Sequence, residues 1–197
     1  MRIGWSSNFS HKESFMQKIL RNLHEKYGGG RSIEELAQIE IDINDDVIKE
    51  KLMEILKEAY EERMPFNKFL GVKIEVMTEN LCKVRIDKKP ELVGNFEQNI
   101  LHGGVISSVI DLTGGIAIQM SALSKMGKRT IGEFLVLFAK MSTIDMRVDY
   151  LRPGTGEYFV CSAYLMRSGK KVAVTRMEFH NNRNQLIATG SGAYMVG

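Results

Sequence analysis

Asp111 is the one carboxylate in the apolar stretch LHGGVISSVIDLTGGIAIQM, Leu101 to Met120, whose composition reads as a helix. An ionised carboxylate in such surroundings costs several kcal/mol unless it is paired or hydrogen-bonded. Two readings are open on the residues alone. Asp111 either serves the structure, by reaching a backbone or hydroxyl donor or lying on a solvated flank, or it is a catalytic carboxylate in a partly dry site, where burial adjusts its basicity. His102, Gly103 and Gly104 stand where this helix begins, and a helix N-terminus exposes unpaired N–H groups of partial positive charge. Glycines let a ligand approach those donors, which can stabilise the oxyanion formed when a carbonyl is attacked. A Gly-Gly doublet at a helix start is also ordinary capping chemistry.

Gly103 and Asp111 are eight positions apart. At the α-helical rise this is about 12 Å along the axis, too far for both to touch one carbonyl from the same helix. If they serve one reaction, the amides come from one subunit and the carboxylate from another, so a symmetric dimer is part of the mechanism. Other chemistry is poorly represented. Ser107 and Ser108 lack the GxSxG turn that exposes a serine nucleophile and are expected to satisfy helix carbonyls. His11, His24 and His180 are scattered without ligand spacing, so no metal site is expected. GGGR at 28–31 follows a helical pattern, not a strand, and is no phosphate loop.

The elements around the stretch follow from periodicity. Phe15, Met16, Ile19, Leu20 and Leu23 recur at helical spacing before the glycines at 28–30. Ser32 with Glu35 forms a capping box for a short second helix. A third begins near Asp45 and runs towards Pro65, with Ile48, Leu52, Ile55, Leu56 and Ala59 on one face. From Gly71 the texture changes: VKIEV and LCKVRI alternate as a hairpin. After the long helix, Thr130 and Glu133 cap FLVLFAK, a shorter helix that either closes over a bound chain or packs at a subunit contact. TIDMRVDYL alternates with a clean period of two, and EYFVCSAYLM, KKVAVTRMEFH and QLIATGSGAYMV follow as an antiparallel meander. One apolar helix against one antiparallel sheet is an α+β class. Gly114 and Gly115 are the expected points of close helix–strand approach.

The totals fit one main domain, with 44% hydrophobic and 26% charged residues in 197. The stretch 105–123 is long enough to span a membrane, but its polar residues and glycines argue against this. MRIGWSSNFSHKE shows no sustained apolar run, and Cys82 and Cys161 stand in no metal or CxxC spacing, so a cytoplasmic protein with reduced core thiols is expected. Charge is uneven. Residues 1–62 hold nine basic and thirteen acidic side chains, whereas residues 63–197 hold eighteen and eleven. A basic main domain behind an acidic leader points to an anionic ligand and away from a nucleic-acid arm.

LHGGVISSVIDLTGG, with STIDMRVDYLRPG, SGKKVAVTRMEF and IATGSGAYMV, resembles the PaaI-like hotdog-fold acyl-CoA thioesterases. MPFN, LVGNFEQNILHGG and TIDMRVDYLRPG bring it nearest to the bacterial YigI-type branch, which acts on medium- and long-chain acyl-CoA. The likeness runs from about residue 63 to the end. It implies a helical extension over 1–62 and a hotdog domain over 63–197, a curved antiparallel sheet wrapped around a long central helix. It further implies a homodimer, or a dimer of dimers, with interfacial sites and no cofactor, coenzyme A being part of the substrate. Asp111 then corresponds to the catalytic carboxylate, as general base or nucleophile. Gly103 or Gly104 supplies the carbonyl-polarising amide from the opposite subunit, and Thr143 helps to hold the water or the carboxylate. Ser168, Gly169 and Lys170 belong to the coenzyme A contact, with Arg152 a further candidate. Asn95 stands seven residues before His102, where the wider family has an asparagine at six. Asn95 and Gln98 are therefore either water- or carbonyl-positioning residues or ordinary turn residues, and His102 shapes the loop. The rival is an acyl-CoA-sensing regulator with an N-terminal DNA-binding module. Residues 31–62, with four basic and eleven acidic side chains, make a poor surface for phosphates. The leader could instead cover an acyl tunnel or enlarge the oligomer.

Overall fold

The computed structural model describes residues 32–196 together with Arg21, His24 and Gly30. The helix expected over Phe15–Leu23 lies outside the described residues. From Ser32 the order is α1 (Ile33–Ala37), β1 (Glu40–Asp42), α2 (Asp46–Glu58) continued by a π-turn (Ala59–Arg63), α3 (Pro65–Leu70), β2 (Val72–Met77) and β3 (Cys82–Asp87). The short strands β4 (Val93–Asn95) and β5 (Ile100–Leu101) lead into α4 (Gly103–Leu123). Then come β6 (Lys128–Thr130), α5 (Ile131–Lys140), β7 (Ser142–Tyr150), β8 (Tyr158–Ser168), β9 (Val172–Asn181) and β10 (Leu186–Met195).

The main sheet has the order β2-β3-β8-β9-β10-β7, with every neighbour antiparallel. It packs along α4, whose Ile106, Val109, Ile110, Ile116, Ala117, Met120 and Leu123 are buried. Phe159 of β8 and Phe179 of β9 stack beneath the helix with centroids 5.4 Å apart. This is the expected α+β hotdog arrangement. α4 is the one helix among the described residues long and apolar enough to cross a membrane, and here it is the core helix.

Two details differ from the periodic pattern. β8, β9 and β10 form the expected meander, but β7 lies at the far edge beside β10, because β8 inserts between β3 and β9. The period of two in β7 is also broken. Asp145 pairs with Ala193 and Thr143 with Tyr194, so Ile144 is an extra, bulged residue, half exposed at 51%. A bulge shifts the phase of the strand and re-aims the residues beyond it.

Of the two glycines expected to make room, Gly114 does: a Cβ there would fall 2.3 Å from the Tyr194 hydroxyl, whereas one on Gly115 would meet only an ordinary 3.9 Å contact. Glycine inside a helix costs roughly 1 kcal/mol relative to alanine, so Gly114 is kept for space and not for helix formation. On β10, Gly190 admits Ile110 in the same way, a Cβ there falling 2.5 Å from Ile110 Cγ2.

The capping boxes on Ser32–Glu35 and Thr130–Glu133 are present, and Asp45 caps α2. β1 pairs with β6, and Leu52, Ile55, Leu56, Ala59 and Tyr60 bury their side chains in the core cluster that α4 occupies. Cys82 and Cys161 are buried free thiols, and burial pushes both up to about 12, so they stay protonated near neutral pH.

Candidate active site

Asp111 is partly buried in the middle of α4, and the Thr143 hydroxyl donates to its Oδ1 at 2.9 Å. The bulge at Ile144 makes this possible. In an unbroken ladder Thr143 would share the outward face of Asp145 and Arg147, whereas the extra residue returns it to the helix side. From the neighbouring strand β10, the Tyr194 hydroxyl donates to the Asp111 carbonyl at 3.2 Å.

The other end of β7 meets the start of α4. The Tyr150 hydroxyl donates to the Gly103 carbonyl at 3.0 Å, and its ring lies 3.5–3.6 Å from where a Gly103 Cβ would stand. His102 is the N-cap, and its Nδ1 accepts the Gly104 N–H at 2.9 Å. The two glycine amides are therefore not equivalent: Gly104 is capped, while the Gly103 N–H has no acceptor among the described residues. Ser107 and Ser108 both donate to the Gly104 carbonyl, at 3.0 and 2.7 Å, and so close the first turn on itself.

The remaining residues divide between these two ends. Asn95 and Gln98 lie in the exposed β4–β5 hairpin, where Asn95 Oδ1 accepts the Gln98 N–H at 3.1 Å. The hairpin rests on the helix start, since a Cβ on Gly94 would fall 2.7 Å from His102 Cα. Arg152, just past β7, donates from Nη1 to the Leu186 carbonyl at 2.9 Å, at the Gly103 end. Ser168, Gly169 and Lys170 form the β8–β9 turn, closed by Gly169 N–H to Val172 carbonyl at 2.9 Å. The register from Ser168 through Val172 to Met195 and Ser142 puts that turn at the Thr143 end of the sheet. Within one chain, then, the proposed coenzyme A contacts Lys170 and Arg152 lie at opposite ends. Periodicity alone did not single out Tyr150 or Tyr194, because each reads as an ordinary member of an alternating strand. Among the described residues, no three His, Cys, Asp or Glu side chains converge as metal ligands.

A long apolar helix gripped by a large antiparallel sheet defines the class of the fold as a hotdog. The thioesterase superfamily model matches residues 98–188. Over 148 residues the chain is 40% identical to the medium/long-chain acyl-CoA thioesterase YigI of Escherichia coli K12, covering 75% of this chain and 96% of that protein. The protein of the same name in Salmonella typhimurium LT2 is 39% identical over the same shares. A solved structure from Shewanella oneidensis, described as related to the thioesterase superfamily, aligns with a TM-score of 0.73 at 40% identity, covering 76% of this chain and 98% of the other. The chain belongs to the thioesterase superfamily and is a thioester hydrolase.

Proposed function

We propose that the protein hydrolyses medium- to long-chain acyl-CoA to free fatty acid and coenzyme A, in the cytoplasm, at a site shared by two copies of the chain. The carrying observation is the Thr143–Asp111 hydrogen bond at one end of β7 and the uncapped Gly103 amide at the other. β7 is the sheet's outer strand, and its far edge pairs with no strand among the described residues. Antiparallel pairing of that edge with β7 of a second copy, about a two-fold axis near Met146, brings Ser142 and Thr143 opposite the second copy's Tyr150 and Asp149. The carboxylate of one copy then faces the helix start of the other. The same operation brings the Ser168–Lys170 turn to the end where the second copy's Arg152 lies, which unites the two basic contacts around one nucleotide.

In this site the Gly103 N–H donates to the thioester carbonyl and holds the negative charge that grows on its oxygen. With Oδ1 held by Thr143, Asp111 acts through Oδ2, either taking a proton from water or attacking the carbonyl carbon. In the first case the water oxygen bonds to the carbonyl carbon, and in the second water then cleaves the acyl–Asp111 anhydride. In both the C–S bond breaks, coenzyme A leaves as the thiolate, and the proton given up by water ends on its sulfur. Asn95 and Gln98, in the hairpin against the helix start, are placed to orient the water or the carbonyl. No cofactor is required by this route. Residues 63–197 form the hotdog unit in this reading and residues 1–62 a helical extension, of which α2 packs against the core. The relatives, named as hydrolases, lend the regulator alternative no support. The test is release of free thiol from acyl-CoAs of increasing chain length. Turnover should peak at medium to long chains, and absence of turnover with every acyl-CoA would contradict the proposal.

A further inference from the structure

Tyr194 is 97% buried, yet it is polar, and the mechanism above makes no use of it. Its ring is accommodated by two glycines from different elements. A Cβ on Gly114 of α4 would fall 2.3 Å from the hydroxyl, and one on Gly192 of β10 would fall 2.7 Å from ring carbon Cε2. The slot directs the hydroxyl to the Asp111 carbonyl at 3.2 Å, with the Thr175 hydroxyl, which donates to Met177 Sδ at 3.1 Å, beside it against Gly114. In the ladder Tyr194 faces Thr143 across the bulge, so the two hydroxyls that hold Asp111 come from paired positions. Thr143 takes the carboxylate and Tyr194 the main chain of the same residue.

A buried phenol donating to a helix carbonyl that already has its own ladder is not needed to form α4. It fixes the rotation of one turn about the helix axis, the coordinate that sets where the Asp111 carboxylate points. We infer that Tyr194 is a positioning residue for the hydrolytic step, orienting Asp111 through its main-chain carbonyl while never touching the substrate. The phenol is also pushed above its ordinary value, first by burial and then by the nearby Asp111 charge, so it stays a neutral donor throughout turnover. This inference rests on the catalytic reading of Asp111.

The experiment is a double-mutant cycle with Tyr194→Phe, which removes one oxygen and keeps the ring, and Asp111→Asn. Tyr194→Phe should lower kcat about tenfold and leave KM for acyl-CoA within about twofold, because the group acts on the reacting carboxylate and not on binding. On the Asp111→Asn background the same change should leave the residual rate unaltered. An equal loss on both backgrounds, or kcat unchanged by Tyr194→Phe alone, overturns the inference. Full activity of Asp111→Asn would instead overturn the reading on which it rests. If Tyr194→Phe does not fold, Thr175→Val decides. A twofold to threefold loss in kcat at constant KM supports the role, and an unchanged kcat rejects it.

Discussion

At its start β7 meets the middle of α4, where Thr143 holds the Asp111 carboxylate; at its end it meets the first turn, where Tyr150 holds the Gly103 carbonyl. The first junction is partly buried and carries a negative charge, bracketed by hydroxyls from β7 and β10. The second is more open and carries partial positive charge, with one amide capped by His102 and its neighbour without an acceptor among the described residues. In the proposed mechanism each junction supplies half of what thioester hydrolysis needs, and one edge strand fixes both. Gly103 and Asp111 stand eight positions apart on one helix, about 12 Å along its axis, so the two halves do not meet at one carbonyl within a single chain. The proposed two-fold axis across β7 would bring them together without moving either.

The comparison yields graded expectations. Asp111→Asn, which keeps shape and removes charge, should lower kcat by about a thousandfold to ten-thousandfold while acyl-CoA still binds; an unchanged single-turnover rate would break the assignment of the negative half. Gly103→Pro deletes one N–H at the first helical position, where proline is well tolerated and the extended His102 (φ −65°, ψ 134°) suits a following proline. It should cost about a hundredfold to a thousandfold in kcat with little loss of stability. A normal rate would show that another donor holds the oxyanion. Thr143→Val should lower kcat about tenfold, since the carboxylate keeps its charge but loses its orienting donor. The smallest effect belongs to Lys170→Ala at the rim. KM should rise severalfold with kcat nearly constant, and the difference should fade as salt is added.

Much of the frame was legible because it is local. Helix caps at Ser32, Asp45 and Thr130 depend on residues two or three positions away, and the strands announce themselves by alternation. Asp111 was legible because a carboxylate is conspicuous in an apolar helix. Strand order was not, because β7 pairs with β10 some forty residues onward and no periodicity encodes that partner. The bulge at Ile144 is equally hidden: the sequence alternates cleanly through it, and only the Tyr194–Thr143 pairing reveals the extra residue. Likewise, the choice between Gly103 and Gly104 turns on where the His102 ring lies, a three-dimensional fact that neither glycine advertises.

The shared site is tested most directly by mixing two inactive variants, Asp111→Asn and Gly103→Pro, co-expressed with different tags so that mixed dimers can be isolated. Each mixed dimer pairs one intact Gly103 with one intact Asp111 in a single complete site, so an unselected equal mixture should recover roughly a quarter of wild-type activity and purified mixed dimers about half. Activity no higher than that of either parent, in dimers shown to be mixed, would place the whole site in one chain and contradict the account.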